Sequence, residues 1–198
     1  MSFYHGTSAG NALKILQSGK IQPSEDGYFY CFDSNKPESL AGALCFATGD
    51  GPRNGSLTKH DFLSRYAKLN PDFPTGLKGL LAKTALKHYA AAWAEKQMQG
   101  ATGPLDRYGA ILVFHTHPDG EQATRQGFVN EVKIPAASLS ELELERVWLD
   151  DALLHLPEIE QLRQLGVDVR PLSECADLVW GETPQKKPDV GHSPPGPK

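Results

Sequence analysis

Phe3-Tyr4-His5-Gly6-Thr7-Ser8, with Leu13, Ile15, Leu16 and Gly19 behind it, sets out a strand, a turn and a helix in quick succession. Phe3–His5 reads as a short strand entering a Gly-Thr-Ser turn. Ser8 is a residue type that caps helices, because its hydroxyl accepts an otherwise unpaired backbone N–H. Leu13, Ile15 and Leu16 give the helix an apolar face, and Gly19 suits the left-handed position that closes it. Working outward, a turn at Ser24–Gly27 leads into Tyr28–Phe32, whose aromatic residues favour a strand. Pro37-Glu38-Ser39 starts a short helix through Leu44, and Cys45–Ala47 reads as another strand.

A Gly-rich polar loop, Gly49–Ser56, follows. Leu57–Leu69 and Leu77–Met98 then carry helical spacing, broken by Pro71 and Pro74. The second stretch is rich in good helix formers, and its stripe Leu77, Leu81, Ala85, Tyr89 and Trp93 is expected to pack in the core. Ala110–Phe114 is a buried strand, Pro118–Gly127 a polar loop, and Phe128–Ile134 a strand with alternating faces. A helix over Leu149–Leu165 ends at Gly166, and Val167–Leu172 is the last strand. The interspersed elements predict an α+β fold with a mostly antiparallel sheet, flanking helices and a helical insertion at about 57–99.

The chain has 198 residues, 39% of them hydrophobic, which suits one domain over residues 1–180. Residues 181–198 hold Pro184, Pro188, Pro194, Pro195 and Pro197, with Val190 the one large apolar residue, and predict a disordered tail. A net charge of −4 offers no general attraction to nucleic acid or anionic membrane, although a local basic groove remains compatible with an RNA or DNA substrate. No run is long and apolar enough to cross a membrane. Met1-Ser2-Phe3-Tyr4-His5 lacks the layout of a secretory signal, so the expected location is a cytoplasm, reached at synthesis or by signal-peptide-independent delivery into a target cell. Cys31, Cys45 and Cys175 read as buried thiols, and without a CxxC pair no structural zinc site is expected.

Three separated stretches can carry chemistry. In Tyr4-His5-Gly6-Thr7-Ser8, a glycine lets backbone approach a ligand amide, and a neutral histidine can donate to a ribose hydroxyl. In Gly27-Tyr28-Phe29-Tyr30-Cys31-Phe32-Asp33-Ser34, a strand aromatic can stack on a flat cationic ring such as nicotinamide. Alternation puts Tyr28, Tyr30 and Phe32 on one face, Phe29 and Cys31 on the other. In Gly127-Phe128-Val129-Asn130-Glu131-Val132-Lys133-Ile134-Pro135, one carboxylate interrupts an apolar strand. It could accept a hydrogen bond from a ribose 2′-OH that tightens as the glycosidic bond breaks.

In this order the three stretches resemble the His–Tyr–Glu branch of the ADP-ribosyltransferases, which includes the diphtheria-toxin-like and poly(ADP-ribose)-polymerase-like enzymes. The resemblance runs from Phe3 to about Ile134 in three islands and implies that family's split sheet. It implies NAD⁺ as co-substrate, with no metal. His5 would hold the adenosine ribose and Gly6 the nicotinamide carboxamide, with Thr7 or Ser8 supporting the turn. Tyr30, or Tyr28 in the alternative register, would stack on nicotinamide, Ser34 would complete the Tyr-Phe-x-x-Ser-like run, and Glu131 would be the catalytic carboxylate. Val129 stands where arginine-modifying relatives carry Glu or Gln, which argues against arginine transfer. The implied activity is a bacterial-type mono-ADP-ribosyltransferase, a toxin or effector, acting on a protein or nucleic-acid acceptor. A cognate antitoxin or immunity protein would be a further partner.

Other readings compete. NAD⁺ glycohydrolysis needs only water in place of the acceptor. A non-catalytic NAD- or ADP-ribose-binding module, or a relative of RNA 2′-phosphotransferases, would keep the fold. His115-Thr116-His117-Pro118 resembles the HxHP motif of JAMM-type zinc isopeptidases. Gln126 and Val129 occupy the positions where that family has Ser and its third ligand, Asp.

Overall fold

The computed structural model describes residues 1–47, 59–99, 104–115, 124–126 and 130–181. The predicted loop at 49–56, most of the loop at 118–127, Phe128, Val129, and the tail beyond Gly181 lie outside the described residues.

The fold is α+β. Seven strands form one sheet in the order β4-β5-β2-β1-β3-β6-β7. They are β1 (Ser2–Ser8), β2 (Tyr28–Asp33), β3 (Gly109–His115), β4 (Thr124–Gln126), β5 (Glu131–Pro135), β6 (Glu143–Leu149) and β7 (Asp168–Pro171). Every pairing is antiparallel except β6 with β7. The helices are α1 (Ala9–Ser18), α2 (Ser39–Phe46), α3 (Lys59–Leu69), α4 (Gly76–Gln99), α5 (Pro157–Gln164) and α6 (Leu172–Trp180).

Alternation along β3 shows how the layers form. Ile111 and Val113 face a core with α2, α3, α4 and α6, while Ala110, Leu112 and Phe114 face a second core with α1 and α5. A strand buried on both faces is why Ala-Ile-Leu-Val-Phe is continuously apolar. α1 is capped as its residues dictate. The Asn11 N–H donates to Ser8 Oγ at 3.2 Å, and Gly19 takes the left-handed conformation with φ 63°.

The sheet is continuous, but its middle seam is thin. β1 pairs with β3 along all seven residues and β2 with β5 along five, whereas β1 meets β2 only at Phe3–Asp33 and Tyr4–Phe32. Beyond those two pairs β1 and β2 part.

Several expectations need correction. Gly6, Thr7 and Ser8 are not a turn; they finish β1, paired with Ile111, Ala110 and Gly109. Cys45 and Phe46 belong to α2, whose run Leu40–Phe46 is buried on nearly every side, so periodicity could not separate helix from strand. Thr124–Gln126, expected as loop, forms β4 on the edge of the sheet. Leu149 ends β6 rather than starting a helix. Asp150 then caps a 3₁₀ turn through the Ala152 N–H at 3.0 Å, and α5 begins only at Pro157. Residues 172–180 form α6 beyond the last strand.

On α4 the expected stripe faces outward: Leu77 is 74% exposed, and Leu81 and Tyr89 are exposed too. The side chain of Trp93 lies outside the described set. α4 packs instead through Gly79, Ala82 and Leu86, and a Cβ at Gly79 would meet the Pro74 carbonyl oxygen at 2.2 Å. The predicted helical insertion is part of the main core, since Phe62 and Tyr66 of α3 are fully buried in it. All three cysteines are buried, as expected.

Candidate active site

A cleft of about 700 Å³ gathers residues from both halves of the sheet and from α1, α2 and α4. Its lining includes His5, Gly6, Thr7 and Ser8 from β1, Phe29, Tyr30 and Phe32 from β2, and Glu131 from β5. Strict alternation sets His5 and Glu131 on opposite faces. The His5 ring lies 4.3 Å from that of Phe29, whereas Glu131 pairs in register with Phe32. The parting of β1 from β2 is what lets both line one cavity.

His5 bridges the parted strands. Its Nδ1 lies 2.7 Å from the Tyr30 carbonyl oxygen. A carbonyl only accepts, so Nδ1 carries the hydrogen and Nε2 keeps a lone pair. Burial lowers the pKa of His5 to about 4, against the opposing pull of the Tyr30 carbonyl, so the ring is neutral near pH 7. With Nδ1 committed, Nε2 is able to accept a hydrogen bond from a hydroxyl group, whereas the sequence reading expected a donor.

Packing requires a glycine at position 6. A Cβ there would meet the Ala43 carbonyl oxygen at 2.0 Å and the Ala47 nitrogen at 2.8 Å. The glycine lets α2 lie directly on β1. Thr7 and Ser8 are buried beside it, and Ser8 donates to Asp106 Oδ1 at 3.4 Å besides capping α1.

The two tyrosines separate. Tyr30 lines the cleft; Tyr28 does not and lies exposed, while the Lys133 ammonium is 4.9 Å from the Tyr28 ring centroid and 5.4 Å from that of Tyr30. The Tyr30 hydroxyl donates to the Asp26 carboxylate, whose pKa this bond holds below the ordinary range. Burial and Asp26 raise the Tyr30 phenol well above its usual value. Ser34 is outside the cleft lining, its N–H donating to the Ser2 carbonyl at 3.0 Å.

Glu131 is 8% exposed. Burial raises its pKa to about 7, with the Lys133 ammonium pulling the other way. No hydrogen bond to its carboxyl is found among the described residues.

Sequence reading missed other lining residues. Tyr89 of α4 reaches the cleft and meets Phe46 edge-on at 6.0 Å between ring centroids. It was assigned to the core because it shares a helical stripe with leucines. Lys14 and Lys20 line the cavity as well, with Glu25 and Asp26, so both charge signs are present. No local pattern around any of them distinguishes a cleft wall from solvated surface.

Of the competing histidine pair, His115 is exposed at the end of β3, its Nδ1 3.3 Å from Ser2 Oγ, and His117 lies outside the described residues. Among the described residues no three His, Cys, Asp or Glu side chains are placed to hold a metal ion, and no helix is long and apolar enough to cross a membrane. Compared with protein-family models, curated proteins and solved structures, the chain matches none.

Proposed function

We propose that this chain is a mono-ADP-ribosyltransferase of the His–Tyr–Glu type that takes NAD⁺ in the cleft and passes its ADP-ribose to a macromolecular acceptor. One observation carries the reading: His5, Tyr30 and Glu131, the residues to which the resemblance points, line a single cavity. The thin β1–β2 seam is in keeping with the split sheet of that family. A volume of about 700 Å³ is within the usual range for cofactor-sized ligands. Lys14 and Lys20 suit a diphosphate, and the aromatic and acidic lining of Tyr30, Asp26 and Glu131 suits a cationic ring.

In the reaction the bond from ribose C1′ to the nicotinamide nitrogen breaks, and nicotinamide leaves neutral with the bonding pair. The acceptor nucleophile then bonds to C1′ and releases its proton to water. Glu131, as carboxylate, accepts a hydrogen bond from the 2′-OH that strengthens as C1′ becomes cationic. His5 accepts from a ribose hydroxyl at Nε2, and Tyr30 stacks on the departing ring.

Incubation with NAD⁺ labelled in the adenylate is the test, with nicotinamide release and label transfer read together. Wild-type chain with acceptor releases nicotinamide and labels a macromolecule, and Glu131→Gln lowers the rate by about 10²-fold or more. Free ADP-ribose without labelled macromolecule would assign a glycohydrolase instead. Undiminished turnover in Glu131→Gln would remove Glu131 from the chemistry.

A further inference from the structure

Behind Glu131 lies a buried polar network that this chemistry does not use. Asn130, the residue before β5, is buried and held from three segments. Its N–H donates to the Tyr66 hydroxyl of α3 at 2.8 Å. Its side-chain amide donates to Glu38, just before α2, and to Asn70 Oδ1, just after α3, at 3.3 Å. Asn70 in turn donates to the Tyr66 hydroxyl at 3.2 Å and accepts the Asp72 N–H at 2.9 Å.

Glu38 is fully buried, and its Oε2 has no hydrogen-bond partner among the described residues. For stability alone this is a poor arrangement, since apolar groups of the same shape avoid the desolvation cost. All of these groups converge on Asn130, the residue immediately before Glu131. The Glu131 carboxyl itself has no hydrogen bond among the described residues to aim it, so its direction is set by its backbone.

Resting on the reading above, we propose that Tyr66, Asn70 and Glu38 are positioning residues that clamp Asn130 and thereby aim the Glu131 carboxylate into the cleft. Helix α3 then acts as a brace for the site as well as a wall of the core. A carboxylate displaced by about 1 Å loses much of its catalytic effect, on the order of 10²-fold.

Tyr66→Phe deletes one oxygen and keeps the ring packing. It lowers kcat for NAD⁺ cleavage about tenfold or more, while KM for NAD⁺ stays within about twofold, because binding contacts are untouched. Glu38→Gln, which keeps an acceptor for Asn130, retains more of the rate than Glu38→Ala. Independently of turnover, a carbon-13 NMR titration of the Glu131 carboxyl in Tyr66→Phe moves by about half a pH unit or more, since a swung carboxylate changes its burial and its distance from Lys133. If Tyr66→Phe fails to fold, Asn70→Ala supplies the same titration. An unmoved midpoint overturns the proposal whatever the rate. If the wild-type chain does not cleave NAD⁺, a moved midpoint keeps the positioning role while the NAD⁺ reading falls.

Discussion

The cost of keeping Glu131 inside the cleft has a sign and a pH window. Its carboxyl titrates at about 7 in the fold against 4.5 for an ordinary glutamate, because burial disfavours the charged form more than Lys133 favours it. Across that window the folded chain holds the proton more tightly than the unfolded chain, so stability is full below 4.5 and declines as pH rises through 7. Glu131→Gln carries no charge at any pH. Urea denaturation should find it more stable than wild type at pH 8, by on the order of 2–3 kcal/mol, with the gap closing near pH 4.5. Equal stability at pH 8 would mean that the carboxyl is not buried as described. In the proposed reaction the active form is the carboxylate, so kcat/KM should fall about tenfold per unit below pH 7. His5, neutral down to about 4, leaves that profile to Glu131. At this scale the family resemblance singled out His5, Tyr30 and Glu131, with Tyr28 as the alternative to Tyr30. The two tyrosines share a strand face, and only the position of the cleft relative to that face separates them.

Helix α2 and strand β1 meet at Gly6, where backbone touches where a side chain would be. Gly6→Ala places a methyl group against the Ala43 carbonyl and the Ala47 nitrogen, atoms that cannot rotate away. The expected loss is about 2–3 kcal/mol of stability in thermal or urea unfolding, together with displaced cleft walls. A Gly6→Ala chain as stable as wild type would show that α2 does not sit on β1. The same physics explains which elements could be read in advance. β2, β3 and α1 carry strong alternation, a continuous apolar run or a clear cap and stop. α4 was recognised as a helix with the wrong face inward, because reading by apolarity selects Leu77 and Leu81 while close packing selects Gly79 and Ala82. β6 was missed because its first residues, Glu143–Arg146, remain partly in solvent, with Leu144 only half-buried against the core and Val147–Leu149 fully inside it.

In the whole molecule, one sheet between two helical layers parts at its middle seam, and the cleft lies where it parts. Composition and pattern were enough for an α+β domain with a mostly antiparallel sheet. They could not show that β1 and β2 would share only two residue pairs, because strand separation leaves no periodic trace. Nor could they show that α3, read as an insertion, would brace the residue next to Glu131. A crystal structure of Glu131→Gln soaked with NAD⁺ tests the account most directly. The prediction is a dinucleotide in the cleft with its nicotinamide ring on Tyr30, a ribose hydroxyl at His5 Nε2, and the side chain at position 131 facing the ribose carbon that bears nicotinamide. A cleft that stays empty at saturating NAD⁺, or a dinucleotide bound elsewhere on the surface, would contradict it.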